Sequence, residues 1–98
     1  MINKGRPQKG TLFMYFVYII ESIKYKKLYK GFTTNISDRL NKHNQGKTYS
    51  TKPYAPYRLI YYEAFLHKDD AIQREKIIKS KWGTKFLKRV LNNYFNKN

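Results

Sequence analysis

Residues 15–32 read YFVYIIESIKYKKLYKGF, with two runs of β-branched and aromatic residues on either side of a polar connection. Residues 15–21 predict one strand, and residues 27–32 predict a second. The connection at residues 22–26 has an ordinary length for a hairpin loop. Gly31 lies inside the second run, where a glycine weakens a strand unless another group must approach the backbone closely. The fold is therefore expected to begin with an antiparallel hairpin.

A helix is predicted directly after the hairpin, at residues 36–45. Asn35 is a favourable N-cap, and Asp38 three positions later resembles a capping box with Asp in place of the usual Glu. Gly46 fits the glycine that commonly ends a helix. Residues 46–57 (GKTYSTKPYAPY) then predict a loop that is long for a compact domain, and such loops are usually functional or mobile.

The second half of the chain predicts one more strand and two more helices. Residues 58–65 are typical of a strand, and residues 69–81 of a helix that Trp82 and Gly83 interrupt. Residues 84–95 repeat apolar side chains at helical spacing. The order ββαβαα predicts an α/β (α+β) fold, with a small three-stranded antiparallel sheet flanked by helices.

The chain is expected to form one domain, because 98 residues are too few for two cores. We expect this domain at residues 14–98. Residues 1–13 contain Gly, Pro and basic residues without periodicity, and they predict a flexible basic tail. Met14 stands just before the first strand and is a candidate natural start.

Deletion of residues 1–13 is expected to leave the melting temperature almost unchanged, because the predicted tail adds nothing to the core. Thermal unfolding of the full chain and the deletion variant would measure this. A large drop in melting temperature would contradict the predicted domain boundary.

The composition is strongly basic, with 21 Lys and Arg residues against six acids and a formal net charge of +15. So much like charge on a small body is self-repulsive. A polyanion would relieve the repulsion and release counterions on binding, so nucleic acid is the expected partner. Solubility alone is a second explanation. An anionic membrane is a weaker candidate, because no basic helix with a clean apolar face stands alone.

The sequence also excludes several classes of protein. It has no Cys, which rules out disulfides and thiolate zinc sites. No apolar run approaches the roughly 20 residues of a membrane span. No apolar segment precedes Leu12, so a signal peptide is not expected and the cytoplasm is the default location.

Among the six acids, Glu75 is the one most suited to a metal site. It lies in the middle of a predicted helix, on a face that Ala71 and Ile78 make partly apolar. A carboxylate on such a face needs a partner or a metal ion. A salt bridge with a neighbouring helix or with Lys79, four residues later, is the more frequent explanation.

Two further pairs could act on a phosphate. Arg39 and His43 are one helical turn apart; Arg binds phosphate through two parallel hydrogen bonds, and His exchanges protons near neutrality. Tyr18 and Tyr29 come from the two strands of the hairpin, and each could hold a water or a phosphate oxygen. Each pair also has an ordinary explanation, as a solvated helix face and as rings packed on a sheet.

Four segments in this order together resemble one family. They are Phe16-Val17-Tyr18, Tyr29-Lys30-Gly31, the run from Asn35 to Asn44, and Arg74-Glu75-Lys76. The set resembles the GIY-YIG nuclease domain, in particular its small stand-alone bacterial members, over about residues 14–92. The implied fold, a small antiparallel sheet flanked by helices, agrees with the ββαβαα order. The chain departs from the triplets at Phe16, Val17 and Lys30, and an Asn that some members carry after the Glu has no match.

The resemblance also implies roles for individual residues. The catalytic candidates are Tyr18, Tyr29, Arg39 and His43. Glu75 corresponds to the family's metal-binding carboxylate, and Gly31 to the glycine that closes the second triplet. One signature tyrosine would help to activate the attacking water, Arg39 would stabilise charge on the scissile phosphate, and His43 corresponds to a histidine used in many members.

The function implied is a metal-dependent endonuclease with one divalent ion, Mg²⁺ or Mn²⁺. DNA is expected as substrate in preference to RNA, recognised by structure, because no zinc finger or recognition helix reads base edges. The nucleic-acid-binding candidates are Lys30, Lys47, Tyr49 and Lys52. A monomer or weak dimer is expected, and a partner protein could supply targeting. The alternatives are a non-catalytic DNA- or RNA-binding module on the same scaffold and an accessory protein bound to ribosomal RNA.

Overall fold

A computed structural model describes residues 13–97. The strands are β1 (Tyr15–Ser22), β2 (Leu28–Thr33) and β3 (Tyr57–Phe65). The α-helices are α1 (Ile36–Asn44), α2 (Lys68–Lys79), α3 (Lys81–Val90) and α4 (Asn92–Asn96), and a 3-10 turn covers Lys52–Tyr54. The predicted order ββαβαα is confirmed, with the last helix in two parts. The predicted tail, Phe13 excepted, lies outside the described residues.

The sheet is antiparallel in the order β2-β1-β3, so β1 is the central strand. Tyr18 on β1 lies opposite Gly31 on β2 and opposite Tyr62 on β3. The last six residues of β1 are buried, because this strand has a neighbour on each side and helices over both faces. A side chain at residues 17–22 of β1 is therefore enclosed by its surroundings.

Alternation along β1 creates two cores, one on each face of the sheet. Val17 and Ile19 pack with residues of α2 and α3, namely Ala71, Ile78 and Leu87. Tyr18 and Ile20 pack on the other face with Tyr57, and around them lie Tyr29, Ile36, Leu40, Tyr54, Ala55 and Leu59. The Tyr18 ring consequently belongs to the core beneath α1, whereas α2 covers the opposite face.

The first helix begins at Ile36, as the sequence predicts, and ends at Asn44, one residue before the predicted end. The Asp38 amide donates a hydrogen bond to Asn35 Oδ1 at 2.9 Å, as expected for an N-cap. Asp38 turns its own carboxylate to Lys42 at 3.3 Å, so this is a simple cap and not a reciprocal box. Gly46 has a φ of 74° just beyond the helix, which fits its predicted role as the stop.

The prediction that Gly83 interrupts the second helix is wrong. The break lies at Ser80, and Gly83 is a buried residue inside α3. A Cβ atom at Gly83 would lie 1.8 Å from the Ile78 carbonyl oxygen, which no side chain allows. Gly83 therefore lets the end of α2 touch α3, and this contact fixes where α2 lies on the sheet.

The last predicted helix, residues 84–95, is also corrected by the structure. It starts earlier, at Lys81, and it divides at Leu91 into α3 and α4. The apolar spacing continues across the division, so both parts pack on the same core through Phe86, Leu91 and Phe95. Within residues 13–97, no helix combines the length and the apolar character required to cross a membrane.

Candidate active site

The centre of the site is a chain of hydrogen bonds that runs from β1 into the loop after α1. The Tyr18 hydroxyl lies 2.9 Å from His43 Nε2, and His43 Nδ1 lies 2.7 Å from Thr51 Oγ1. The Thr51 hydroxyl donates its proton to the Thr48 carbonyl at 3.3 Å. Thr51 can therefore only accept from Nδ1–H, which leaves Nε2 as the acceptor of the Tyr18 proton.

Burial keeps both partners of the first bond in their neutral forms. His43 is 0% exposed, and burial followed by the nearby Arg39 charge lowers the pKa of its imidazole below 6.5. Burial likewise raises the pKa of Tyr18, with Tyr29 as the next cause. At neutral pH, a protonated phenol thus faces an imidazole lone pair. His43 is not the incidental residue of a solvated helix face, and it can take the proton of Tyr18.

Two charged side chains approach the same phenol from different helices. The Arg39 guanidinium partly lowers the pKa of Tyr18, through its charge and as a hydrogen-bond donor, whereas the Glu75 carboxylate raises it. Tyr29 completes the group, with its ring centroid 6.3 Å from that of Tyr18 and 4.9 Å from that of His43. Tyr18, Tyr29 and His43 thus lie together, and the charges of Arg39 and Glu75 reach the Tyr18 phenol from two different helices.

Glu75 also forms the salt bridge that the sequence offered as its ordinary explanation. Its carboxylate lies 3.1 Å from Lys79 Nζ, one turn later on α2. The Lys79 side chain is half exposed, whereas that of Glu75 is largely covered. An i,i+4 ion pair on a helix, with its lysine half exposed, contributes only about 0.3–0.5 kcal/mol, so a divalent ion could displace the lysine.

A metal site at this position would use few protein ligands. Within residues 13–97, no group of three or more His, Asp or Glu residues is arranged to hold a metal ion. Mg²⁺ fits such a place, because it retains several waters and often takes only one or two carboxylates together with phosphate oxygens. A single largely covered carboxylate whose charge acts on the Tyr18 phenol is consistent with that chemistry.

The absence of a side chain at Gly31 leaves room for the Tyr18 hydroxyl. A Cβ atom at Gly31 would lie 2.5 Å from the Tyr18 oxygen and 2.6 Å from Cζ. The ring is 1% exposed, so it cannot swing aside freely. The predicted structural role of Gly31 thus has a definite contact behind it, between the β2 backbone and the phenol.

We expect Gly31→Ala to displace the Tyr18 hydroxyl from His43. Overpacking of this kind costs about 1–3 kcal/mol of stability, and a misplaced reacting group lowers rate by about 10- to 100-fold. Urea unfolding and cleavage assays would measure the two effects. Thr34→Ala, at an exposed position just beyond the same strand, is the control for a substitution at this edge of the sheet; equal loss of cleavage in both variants would contradict this explanation.

The loop after α1 is tied to the site at two points. Thr51 is buried and bonds to His43. Asn44 closes the far end of the loop, since its Oδ1 accepts from the Tyr57 amide at 2.7 Å and its Nδ2 donates to the Tyr57 carbonyl at 3.1 Å. Sequence analysis missed Thr51, because nothing in a loop of Thr, Ser, Lys and Tyr distinguishes the residue that turns inward.

Thr51→Val should lower cleavage about tenfold, a fraction of what acid–base catalysis contributes. It should also cost about 1–3 kcal/mol of stability, because the buried Nδ1–H of His43 loses its acceptor. Thr51→Ser retains the hydroxyl and should keep most of the activity. The cleavage rate is measured as a function of pH for both variants. If Thr51→Val cleaves at the wild-type rate, and its rate falls at low pH as the wild-type rate does, Thr51 has no influence on His43.

The nucleic-acid-binding candidates fall into two groups. Lys47, Tyr49 and Lys52 are exposed on the loop, and Tyr49 is 93% exposed. Lys30 differs: its Nζ donates to the Ile78 carbonyl at 3.0 Å and lies 3.3 Å from Thr84 Oγ1, and burial lowers its pKa. Lys30 thus ties β2 to the end of α2.

Comparison with known proteins identifies the class to which this fold and site belong. The family model described as the GIY-YIG catalytic domain matches residues 14–96. The chain therefore belongs to the GIY-YIG family, which is a family of nucleases that act on nucleic acid.

Individual relatives are small bacterial proteins. A UPF0213 protein of Staphylococcus haemolyticus is 42% identical over 67 residues, which cover 67% of this chain and 80% of the relative. A UPF0213 protein of Pediococcus acidilactici is 31% identical over 90 residues, covering 89% of this chain and 88% of the relative. The solution NMR structure of a UPF0213 protein from Bacillus halodurans has 32% identity and a TM-score of 0.49, covering 79% of this chain and 84% of that one.

Proposed function

We propose that this protein is a divalent-metal-dependent endonuclease that hydrolyses phosphodiester bonds in DNA and selects its substrate by structure. The observation that supports the proposal most directly is the hydrogen bond between the Tyr18 hydroxyl and the unprotonated Nε2 of a neutral His43. This pair lies where the Arg39 and Glu75 charges both act on the phenol. A proton acceptor, a cation and a carboxylate together are what phosphodiester hydrolysis requires.

Tyr18 would act as a relay, because burial raises its pKa and keeps the phenol protonated, so that it can accept a proton only while it gives up its own. The attacking water gives a proton to the Tyr18 oxygen while Tyr18 gives its own proton to His43 Nε2. The resulting hydroxide forms the new bond to phosphorus. The bond from phosphorus to the 3′ oxygen breaks, and this oxygen keeps the electron pair and takes a proton from solvent.

Arg39 would bind the phosphate that reacts. Its guanidinium can donate two parallel hydrogen bonds to non-bridging oxygens, and its charge offsets the charge that develops on them. The same guanidinium helps to keep His43 neutral. Arg39 therefore has two effects in the proposal, one on the substrate and one on the proton acceptor.

Glu75 would hold the divalent ion, Mg²⁺ or Mn²⁺, and the ion would supply a Lewis acid at the phosphate. Opening of the exposed Lys79 contact frees the carboxylate for this role. Lys79 then remains as a cation beside the phosphodiester backbone.

Substrate binding would use the exposed face of the loop after α1. Lys47 and Lys52 can contact phosphates, and the Tyr49 ring can stack on an unpaired base. Because Thr51 in the same loop bonds to His43, DNA held by this loop lies next to the reacting groups. Lys30 would act at one remove, by fixing the end of α2.

One panel of substrates tests the proposal. Labelled single-stranded, duplex, nicked, flap and branched DNA, together with RNA, are incubated with Mg²⁺, Mn²⁺ or EDTA. We expect cleavage of at least one branched or flapped DNA that EDTA abolishes. Salt-sensitive binding without cleavage of any substrate would overturn the proposal in favour of a non-catalytic nucleic-acid-binding module.

A further inference from the structure

An exposed tryptophan stands next to the helix that carries Glu75. Trp82 lies in the first turn of α3 and is 48% exposed. It is the chain's single tryptophan. Phe86 and Arg74 hold this large apolar side chain in one position at the surface, which suggests that the exposed indole has a function.

Two residues support the indole from the same side. The Trp82 and Phe86 rings are stacked, with centroids 4.9 Å apart and an interplanar angle of 17°. Arg74 Cζ lies 5.3 Å from the Trp82 ring centroid and 5.0 Å from that of Phe86. Because these three separations are nearly equal, Arg74 cannot lie across the indole from Phe86. The opposite face of the indole is covered by neither residue.

Arg74, which supports the indole, is itself bound to the sheet. Arg74 Nε and Nη2 donate to the two carboxylate oxygens of Glu63 on β3, at 2.7 and 3.0 Å. The Tyr61 hydroxyl donates to the same carboxylate at 2.5 Å, and the Tyr61 ring packs edge-on against Phe86. A bidentate, partly buried ion pair holds its geometry better than a surface pair. The indole therefore needs little ordering before a ligand binds to it.

The surroundings of the indole select a negatively charged ligand with a flat ring. Lys81 precedes Trp82 and Lys85 follows one turn later, and both are exposed. An apolar protein surface would have to desolvate these cations. A nucleotide satisfies both features, because its base stacks on the indole while its phosphate meets a lysine.

We propose that an unpaired base of the DNA substrate stacks on the face of the Trp82 indole that is turned away from Phe86. Arg74, which supports the indole, directly precedes Glu75 on α2, so the platform on α3 rests against the turn of α2 that carries the candidate metal carboxylate. The inference rests on the proposed nuclease function, and it narrows the substrate to DNA with a single-stranded stretch beside the scissile phosphate. Duplex DNA keeps its bases stacked internally and has none to offer.

Fluorescence of the 98-residue chain tests the platform without any cleavage. Trp82 is the only indole, so its emission is excited selectively while a short single-stranded oligonucleotide is titrated in. We expect quenching that saturates with binding. An oligonucleotide of the same length built from abasic nucleotides should bind through its phosphates without quenching. Equal quenching by both would overturn the proposal.

Variants then measure the effect on affinity. Trp82→Ala should weaken binding of single-stranded DNA by roughly 5- to 150-fold, as expected for the loss of one stacked base. Its duplex affinity should be unchanged, and Trp82→Phe should restore most of the loss. Tyr25→Ala is the matched control, since Tyr25 is 51% exposed and lies in the β1–β2 connection. Single-stranded affinity at the wild-type level in a folded Trp82→Ala would overturn the proposal.

The two proposals fail in different ways. If Trp82→Ala binds single strands normally while wild type cleaves DNA, the platform is wrong and the nuclease stands. If quenching and the variant series behave as expected but no substrate is cleaved with Mg²⁺ or Mn²⁺, base stacking is a property of a binding module and the nuclease is wrong.

Discussion

Glu75→Gln should lower metal-dependent cleavage by roughly 1,000-fold, because the loss of several kcal/mol of metal-derived stabilisation costs tenfold per 1.4 kcal/mol. Glutamine keeps the size of the side chain and removes only its charge. The fold should be retained, since the Lys79 ion pair that is lost contributes little. DNA affinity measured in EDTA should remain within about twofold, because the site loses a negative charge and no cation.

Asp70→Asn is the matched control for this variant. Asp70 is an exposed acid in the first turn of the same helix, about one and a half turns before Glu75 and on a different side of the helix. The amide removes a charge of the same sign and should leave cleavage nearly unaltered. Wild-type rates in Glu75→Gln, with the same dependence on Mg²⁺, would show that another group holds the metal.

Tyr18→Phe should reduce cleavage by about 100- to 10,000-fold, which is the usual range for a group that transfers a proton in the transition state. The ring remains in the core with Ile20 and Tyr57, so the loss is confined to one oxygen atom. His43 Nε2 then has no donor, and we expect about 1–3 kcal/mol of lost stability. Single-turnover cleavage and urea unfolding measure the two quantities separately.

Tyr57→Phe removes a hydroxyl from the same core and leaves the Tyr18–His43 bond in place, so its rate should stay close to wild type. The pH profile provides a second check on the wild-type protein. His43 must be neutral to accept the proton, so the rate should fall as the pH decreases through a pKa below 6.5. Full activity retained in Tyr18→Phe would exclude the relay.

The same titration affects folding. The pKa of His43 is lower in the folded protein than its ordinary value of 6.5, so the unfolded chain binds this proton more readily. The free energy of unfolding therefore decreases as the pH falls from 6.5 toward the folded-state pKa, and it is insensitive to this group at higher pH.

The hairpin and the first helix were predictable from the sequence because their signals are local. Asn35 and Gly46 mark the ends of α1 by their own conformational preferences. The alternation of β2 also explains Lys30. Tyr29 and Gly31 belong to the face that carries Tyr18, whereas Lys30 lies opposite Ile19 on the face that α2 covers. Period-two reasoning, applied to this residue, would have placed it away from the phenol.

The sequence predictions were wrong where a contact between residues of different elements overrides a local conformational preference. Gly83 looks like a helix breaker, but the carbonyl of Ile78 explains it, and no sequence rule reveals that neighbour. Leu91 interrupts the last helix without any Gly or Pro to signal it. Thr51 was missed for the same reason as Gly83, since its importance lies in the His43 nitrogen that it contacts.

The central position of β1 has a consequence for how this molecule could be regulated. Tyr18, Tyr29, Arg39 and His43 are associated with the core beneath α1, and Glu75 alone comes from the helix that covers the other face. The distance between the Glu75 carboxylate and the Tyr18 phenol thus depends on how α2 packs on the sheet. The hydrogen bond from Lys30 to the Ile78 carbonyl and the contact of Gly83 with the same carbonyl hold the end of α2 in position. Under the proposed function, a ligand or substitution that moves α2 along the sheet would lower cleavage while leaving both hydrophobic cores in place, and a screen for misfolding would not detect such a variant.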